Sequence, residues 1–258
     1  MSGQTPAPRR LQVGAHRGAS GTRPENTLAA FRRALELGCD WIELDVHLSH
    51  DDVPVVIHDF TVDRTTDGTG RVRDLTVDEL QRLDAGSWFD PAFRGEHVPT
   101  LAEVLDLVAD RAMLTVEIKS GPIHYPNIVP RVLEVIRTRG DVARVTIASF
   151  DHTAVRAARE IEPAVGGAIL FVARPVDVTL DATAAKADAL HPNWAYVTPE
   201  VVRQAHARRL AVRVWTVDDP ATARALADMG VDAIFTNAPE RLLQVLEAPT
   251  HERHGPEV

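Results

Sequence analysis

The chain has 258 residues, 45% of them hydrophobic and 25% charged, with a formal charge of −9. That balance excludes wholesale disorder and collagen-like repeats, and the acidic excess argues against nucleic acid as a partner, because phosphate-backbone binding leaves a basic footprint. The single cysteine, Cys39, excludes an intrachain disulfide and a thiolate metal cluster, and no apolar run approaches the roughly 18 residues of a membrane span.

Residues 1–10 read as a flexible lead-in without the apolar segment of a secretory signal, so a cytoplasmic location is expected. Short apolar runs then recur at Leu11–Ala15, Trp41–Val46, Met113–Ile118, Val145–Ala148, Ala168–Val172, Ala187–Leu190, Ala211–Trp215 and Ala233–Phe235. Helical patterns lie near Glu25–Leu37, Leu101–Ala109, Ile128–Thr138, His152–Ile161, Pro199–Ala207 and Pro220–Met229, with Asp151 and Thr198 as plausible caps. Alternation of strand and helix predicts a parallel sheet. Eight such strands in about 250 residues predict closure into a TIM (β/α)8 barrel, here one domain over residues 11–247, with 248–258 as a tail. An open doubly wound sheet is the alternative.

Two segments interrupt the alternation. Pro54–His58 follows the second strand too closely for a crossover helix, so the two form a hairpin with its loop near 50–53. That loop places residue 45 opposite residue 58. Residues 60–99 hold no clean strand–helix unit, only turn chemistry (Asp67-Gly-Thr-Gly70) and a short helical piece, Thr76–Leu83. They predict a small inserted subdomain over the C-terminal mouth of the barrel.

Polar residues cluster where strands end, the face that carries active sites in such barrels. His16 and Arg17 close the first run; one can move a proton and the other can hold an anion in a bidentate fork. Glu43 and Asp45 lie two apart, so both point to one face of their strand. Buried there, they need either an arginine or a cation, and oxygen ligands favour Mg²⁺ or Ca²⁺ over zinc. His58 ends the hairpin. Glu117 and Lys119 repeat the two-apart spacing, either as an internal pair or as a third metal carboxylate beside a cation for substrate. Of 28 basic residues only Lys119 and Lys186 are lysines, so Lys119 marks a place where a point charge is wanted. Two histidines, three carboxylates, an arginine and a lysine suit metal-assisted transfer at a phosphate, with imidazoles as acid and base.

These residues resemble the glycerophosphodiester phosphodiesterase family. The matching words are Ala15-His-Arg-Gly18, Pro24-Glu-Asn-Thr27, Ile42-Glu-Leu-Asp-Val46, Val55-Val-Ile-His-Asp59, Val116-Glu-Ile-Lys119 and Val214-Trp-Thr-Val217. Leu83-Asp-Ala-Gly-Ser-Trp88 followed by Val98-Pro-Thr-Leu101 looks like the family's insertion. The resemblance implies a TIM barrel that hydrolyses glycerophosphodiesters to sn-glycerol 3-phosphate and an alcohol, using one divalent cation, Mg²⁺ or Ca²⁺. It implies His16 and His58 as the acid/base pair and Glu43, Asp45 and Glu117 as metal ligands. Arg17 and Lys119 would contact phosphate, and Trp215 would wall the glycerol. Pro24-Glu-Asn-Thr27 is expected to open the first helix, with either Glu25 or Asn26 bracing the His16 loop. Asp218 and Asn237 depart from the family's usual Asn and Asp, which touches substrate detail rather than class. The competing enzyme reading is a phospholipase D-like relative acting on lysophospholipids. Attack by water or by the glycerol 2-hydroxyl, through a cyclic phosphate, are both open, and the paired histidines favour the second. Small-molecule substrate is the one partner expected, without stable membrane insertion; the oligomeric state is not encoded legibly.

Overall fold

Eight parallel strands close on themselves in the computed structural model, which describes residues 10–139 and 142–247. Residues 1–9 of the expected lead-in and the tail, 248–258, lie outside the described residues. In chain order the elements are β1 (Gln12–His16), α1 (Leu28–Glu36), β2 (Trp41–Leu48), β3 (Pro54–Val56), α2 (Val77–Gln81), α3 (Leu101–Val108), β4 (Met113–Ile118), α4 (Ile128–Arg139) and β5 (Val145–Ser149). Then follow α5 (His152–Ile161), β6 (Gly166–Phe171), α6 (Val178–Ala184), β7 (Ala189–Pro192), α7 (Pro199–Ala207), β8 (Ala211–Val214), α8 (Pro220–Asp228), β9 (Ala233–Thr236) and α9 (Pro239–Glu247). The barrel runs β1-β2-β4-β5-β6-β7-β8-β9 and closes by β9 on β1. It is the TIM barrel the alternation predicts.

Strand register decides what faces in. His16 pairs with Glu43, Asp45 with Glu117, and Glu117 with Ala148. With period two, Glu43, Asp45 and His47 of β2 point into the barrel, while Ile42, Leu44 and Val46 pack outward beneath α1 and α3. At the bottom the Arg213 guanidinium lies 4.0 Å over the Trp41 ring, and Trp41 Nε1 donates to Gln12 at 2.9 Å. Higher up, Phe235 fills the interior opposite Gly14, its register partner. Threonine and aspartate caps start the helices; Thr76 and Thr100 form full capping boxes with Glu79 and Glu103.

The hairpin register differs from expectation by one residue. Val46 pairs with Val56 and His47 with Val55, so Ile57, not His58, answers Asp45; the Ile57 amide donates to the Asp45 carbonyl at 3.0 Å. The loop takes the turn one residue earlier, because Ser49 accepts from and caps the Val53 amide. β3 occupies the edge of β2 that β1 leaves free beyond Glu43. Its inner side, Val55 and Ile57, joins Val62, Val72, Leu80, Ala85 and Val98 in a separate apolar cluster that anchors the segment after the hairpin.

Three further differences are local. α1 starts at Leu28 instead of Glu25, because Thr27 caps the Ala30 amide and Asn26 sits at φ +57°. β7 lies two residues later than expected, which brings His191 into the barrel wall. Helices α6 and α9 add to the expected set. α6 is only 7 residues long, and its Thr content weakens the helical signal.

A Cβ on Gly14 would meet Phe235 Cδ1 at 2.3 Å. Gly14→Ala is therefore expected to lower stability by about 1–3 kcal/mol through overpacking. Urea denaturation checks this, and an unchanged midpoint would contradict the packing described here.

Candidate active site

A cavity of about 240 Å³ opens at the C-terminal mouth. One half is polar: His16, Arg17, Glu43, His58, Thr115, Glu117 and Lys119. The other half is apolar: Ala148, Phe150, Leu170, Trp215 and Phe235, with His191 among them. All eight residues expected from the sequence meet here, with Asp45 just beneath, 1% exposed.

Each polar side chain is held by its own strand end. After His16 the chain turns through left-handed conformations at Arg17 (φ +58°) and Gly18 (φ +78°). A Cβ at Gly18 would strike Ala30 at 2.7 Å, so only glycine fits. The turn aims the Arg17 amide at Glu43 Oε2 (2.9 Å) and its guanidinium at Glu25 (2.9 Å) and Asp45 (3.3 Å). Asn26 donates from Nδ2 to Asp45 Oδ2 at 2.8 Å, and its amide donates to the Arg17 carbonyl. Glu25 and Asn26 therefore brace the Arg17 loop from the segment before α1.

His16 presents Nδ1 to Asn237 Oδ1 at 2.8 Å. The orientation of that amide follows from chemistry: Asn237 Nδ2 lies 2.9 Å from Asp218 Oδ2, which can only accept. Oδ1 must then face His16, so Nδ1 carries the proton and Nε2 keeps its lone pair. Asp218 also accepts from Thr236 and the Asn237 amide. The two departures, Asp218 and Asn237, thus meet each other and one of them holds His16. Burial, aided by Arg17, lowers His16 to about 4.

His58 lies past the β2–β3 ladder, where the chain bends. His47, fully buried, accepts that bend: its Nε2 donates to the His58 carbonyl at 3.0 Å, while Nδ1 faces the Tyr125 hydroxyl at 3.1 Å. His58 Nδ1 bonds Asp59 Oδ1 at 2.6 Å. Hydrogen bonds from Arg64 hold Asp59 down at about 2, so it accepts and His58 Nε2 is the free nitrogen. Burial lowers His58 also.

Glu43, Asp45 and Glu117 each bring one oxygen within 4.8 Å of the others. Lys119 Nζ stands 2.7 Å from Glu117 and 3.3 Å from Asp45. The second contact is an ion pair without hydrogen-bond alignment, and the buried Asp45 Oδ1 makes no hydrogen bond. Burial alone would raise Asp45, but Lys119 and Arg17 outweigh it and hold the carboxyl far below its usual range. Burial and the Asp45 charge push Glu117 up to about 7, and burial with both neighbours pushes Glu43 well above the usual carboxylate range. Burial opposes the charge on Lys119, yet Asp45 and Glu117 prevail and its pKa rises. Three acids and two fixed cations in so small a space suit a hard divalent ion with oxygen ligands.

On the apolar side, Trp215 donates from Nε1 to the His191 carbonyl at 2.7 Å, and Phe150 stands edge-on to it at 5.7 Å. His191 is 1% exposed, its Nε2 has no hydrogen-bond partner, and burial keeps it neutral. His47, His191, Phe150 and Arg64 escaped the sequence reading. His47 had a signal, the third inward position of β2; the others follow from folding alone.

A profile of the Glycerophosphoryl diester phosphodiesterase family matches residues 16–241. A glycerophosphodiester phosphodiesterase of Caldanaerobacter subterraneus subsp. tengcongensis is 42% identical over 90% of this chain and 96% of its own length. One from Bacillus altitudinis is 38% identical over 92% of this chain and 98% of its own. A solved phosphodiesterase from Oleispira antarctica, in complex with the product sn-glycerol-3-phosphate, superposes with a TM-score of 0.87 at 30% identity, covering 92% of this chain and 97% of that one. No helix among the described residues is long and apolar enough to cross a membrane. The chain belongs to the glycerophosphoryl diester phosphodiesterase family and is an enzyme of that class, a phosphoric diester hydrolase.

Proposed function

We propose that the cavity hydrolyses glycerophosphodiesters to sn-glycerol 3-phosphate and an alcohol. The observation that carries this reading is the convergence of His16, His58, Arg17, Lys119 and a three-carboxylate cluster on one cavity. Glu43, Asp45 and Glu117 would hold one Mg²⁺ or Ca²⁺. The unbonded Asp45 Oδ1 and the raised pKa values of Glu43 and Glu117 fit such an ion. When bound, it would withdraw charge from a non-bridging phosphoryl oxygen.

The chain's own residues supply the rest. Arg17 and Lys119 stay protonated and offset charge on the phosphoryl oxygens as they crowd towards the transition state. His16, neutral and with Nε2 free, takes the proton of the attacking hydroxyl. His58 acts in its protonated form: Nδ1–H stays on the Asp59 carboxylate, which offsets the ring's charge, and Nε2–H passes to the departing alkoxide as the P–O bond breaks, leaving His58 neutral. If the glycerol 2-hydroxyl attacks, the first product is a cyclic phosphate, and the two histidines exchange roles when water opens it. Pairing of two imidazoles beside a substrate with a neighbouring hydroxyl favours this route. Trp215 and Phe150 offer the substrate's carbon skeleton an apolar wall.

Chelation with EDTA should abolish hydrolysis of glycerophosphocholine, and Mg²⁺ or Ca²⁺ should restore it; full activity after exhaustive chelation would sink the metal assignment. The same assay run with lysophosphatidylcholine discriminates the lysophospholipid reading, which much faster turnover of the lysolipid would favour. For the histidines, His58→Ala should lower kcat on glycerophosphocholine by about 10²-fold or more. It should cost far less on a p-nitrophenyl diester, whose leaving group departs without a proton. His16→Ala should slow both substrates alike. The reverse pattern would exchange the two roles.

A further inference from the structure

The segment after the hairpin sends one side chain back to the site. Arg64 Nε and Nη2 donate to Asp59 at 2.7 and 3.1 Å, and Nη1 and Nη2 donate to Glu25 at 3.0 and 2.8 Å. Both carboxylates are thus gripped through two oxygens each. Each carboxylate is also bonded to a residue of the cavity. Glu25 Oε1 accepts from Arg17 at 2.9 Å, and Asp59 Oδ1 accepts from His58 at 2.6 Å. The result is a continuous chain, His58–Asp59–Arg64–Glu25–Arg17, that spans one side of the mouth.

Arg64 itself is placed by a closed loop. The Val62 amide donates to the Gly70 carbonyl at 2.9 Å, Thr61 bridges Arg71, and Thr66 Oγ1 donates to the Val62 carbonyl at 2.7 Å. Val62 and Val72 are rooted in the apolar cluster of this segment. The Arg64 side chain is 44% exposed and far from any core role, so packing does not account for its four bonds.

We propose that Arg64 is a positioning residue: it fixes the His58 imidazole and the Arg17 guanidinium relative to each other. The inference rests on the roles given above to His58 and Arg17. A planar guanidinium is needed, because only a fork of rigid donors serves two carboxylates at once; a lysine ammonium keeps the charge but not the grip. Without Arg64, Asp59 and Glu25 lose their shared counter-charge. Asp59 is then free to rotate away from Nδ1 of His58, and Glu25 holds Arg17 from one side alone.

The test uses Arg64→Ala and Arg64→Lys in the full chain. Both should lower kcat/KM for glycerophosphocholine by about 10²-fold, the usual scale for a misplaced reacting group. The loss should be smaller on the p-nitrophenyl diester, which does not need the His58 proton, and millimolar guanidinium should partly restore the alanine variant. ¹⁵N NMR of the histidines reads the clamp independently of turnover. At a pH where the ring is neutral, His58 should hold the single Nδ1–H tautomer in the wild type and a mixture in either variant, with Asp59→Asn assigning the signal. Unaltered His58 shifts, or equal losses on both substrates that guanidinium leaves unrestored, would overturn the proposal. A wild-type chain that hydrolyses neither diester would defeat the functional reading, and the NMR result would still judge the clamp.

Discussion

Everything at the mouth of this barrel answers one electrostatic constraint: three carboxylates buried within 4.8 Å of one another. Like charges that close cannot all ionise in a desolvated site without positive charge nearby. Asp45 is satisfied first, since Lys119 and Arg17 both stand beside it. Glu43 and Glu117 share what is left, and their affinity for protons rises accordingly. The same imbalance that penalises the protein alone favours a divalent cation. It also explains how a chain of charge −9 can take an anionic ester: the acids that matter are neutralised locally.

The fold meets this constraint through register. Parallel pairing aligns His16 with Glu43 and Asp45 with Glu117, so one layer of inward positions gathers the polar set. The same layer continues through Ala148, Leu170, Trp215 and Phe235 on the opposite wall, where the positions are apolar. A substrate with a charged centre and a carbon skeleton thus meets a two-sided pocket. Loops do the remaining work of orientation: Asn237 for His16, Asp59 for His58, Asn26 and Glu25 for the Arg17 turn.

Much of this was legible in the chain, and the reasons are specific. Glu43 and Asp45, like Glu117 and Lys119, interrupt apolar strands at a spacing of two, and period-two geometry puts each pair on one face whatever the surroundings. The hairpin was legible as topology but not as register, because a Ser49 side-chain bond to Val53 shortens the turn. His58 still reaches the cavity, but by a bend that His47 holds and not by cross-strand pairing. His191 was hidden at the end of an apolar run that shifts by two residues, and Arg64 was hidden in a polar loop where arginine is the ordinary surface cation. The departures Asp218 and Asn237 were visible, yet their meaning was not. Only the fold reveals that they bond each other and that one of them sets the tautomer of His16.

The central claim is that the three carboxylates form a single cation site, and crystals soaked in Mn²⁺ test it most directly. Anomalous diffraction should place one strong peak per chain, ligated by Glu43, Asp45 and Glu117, and Glu43→Gln should remove or greatly weaken it. A peak elsewhere with none between these three residues, or full occupancy in the variant, would contradict the account.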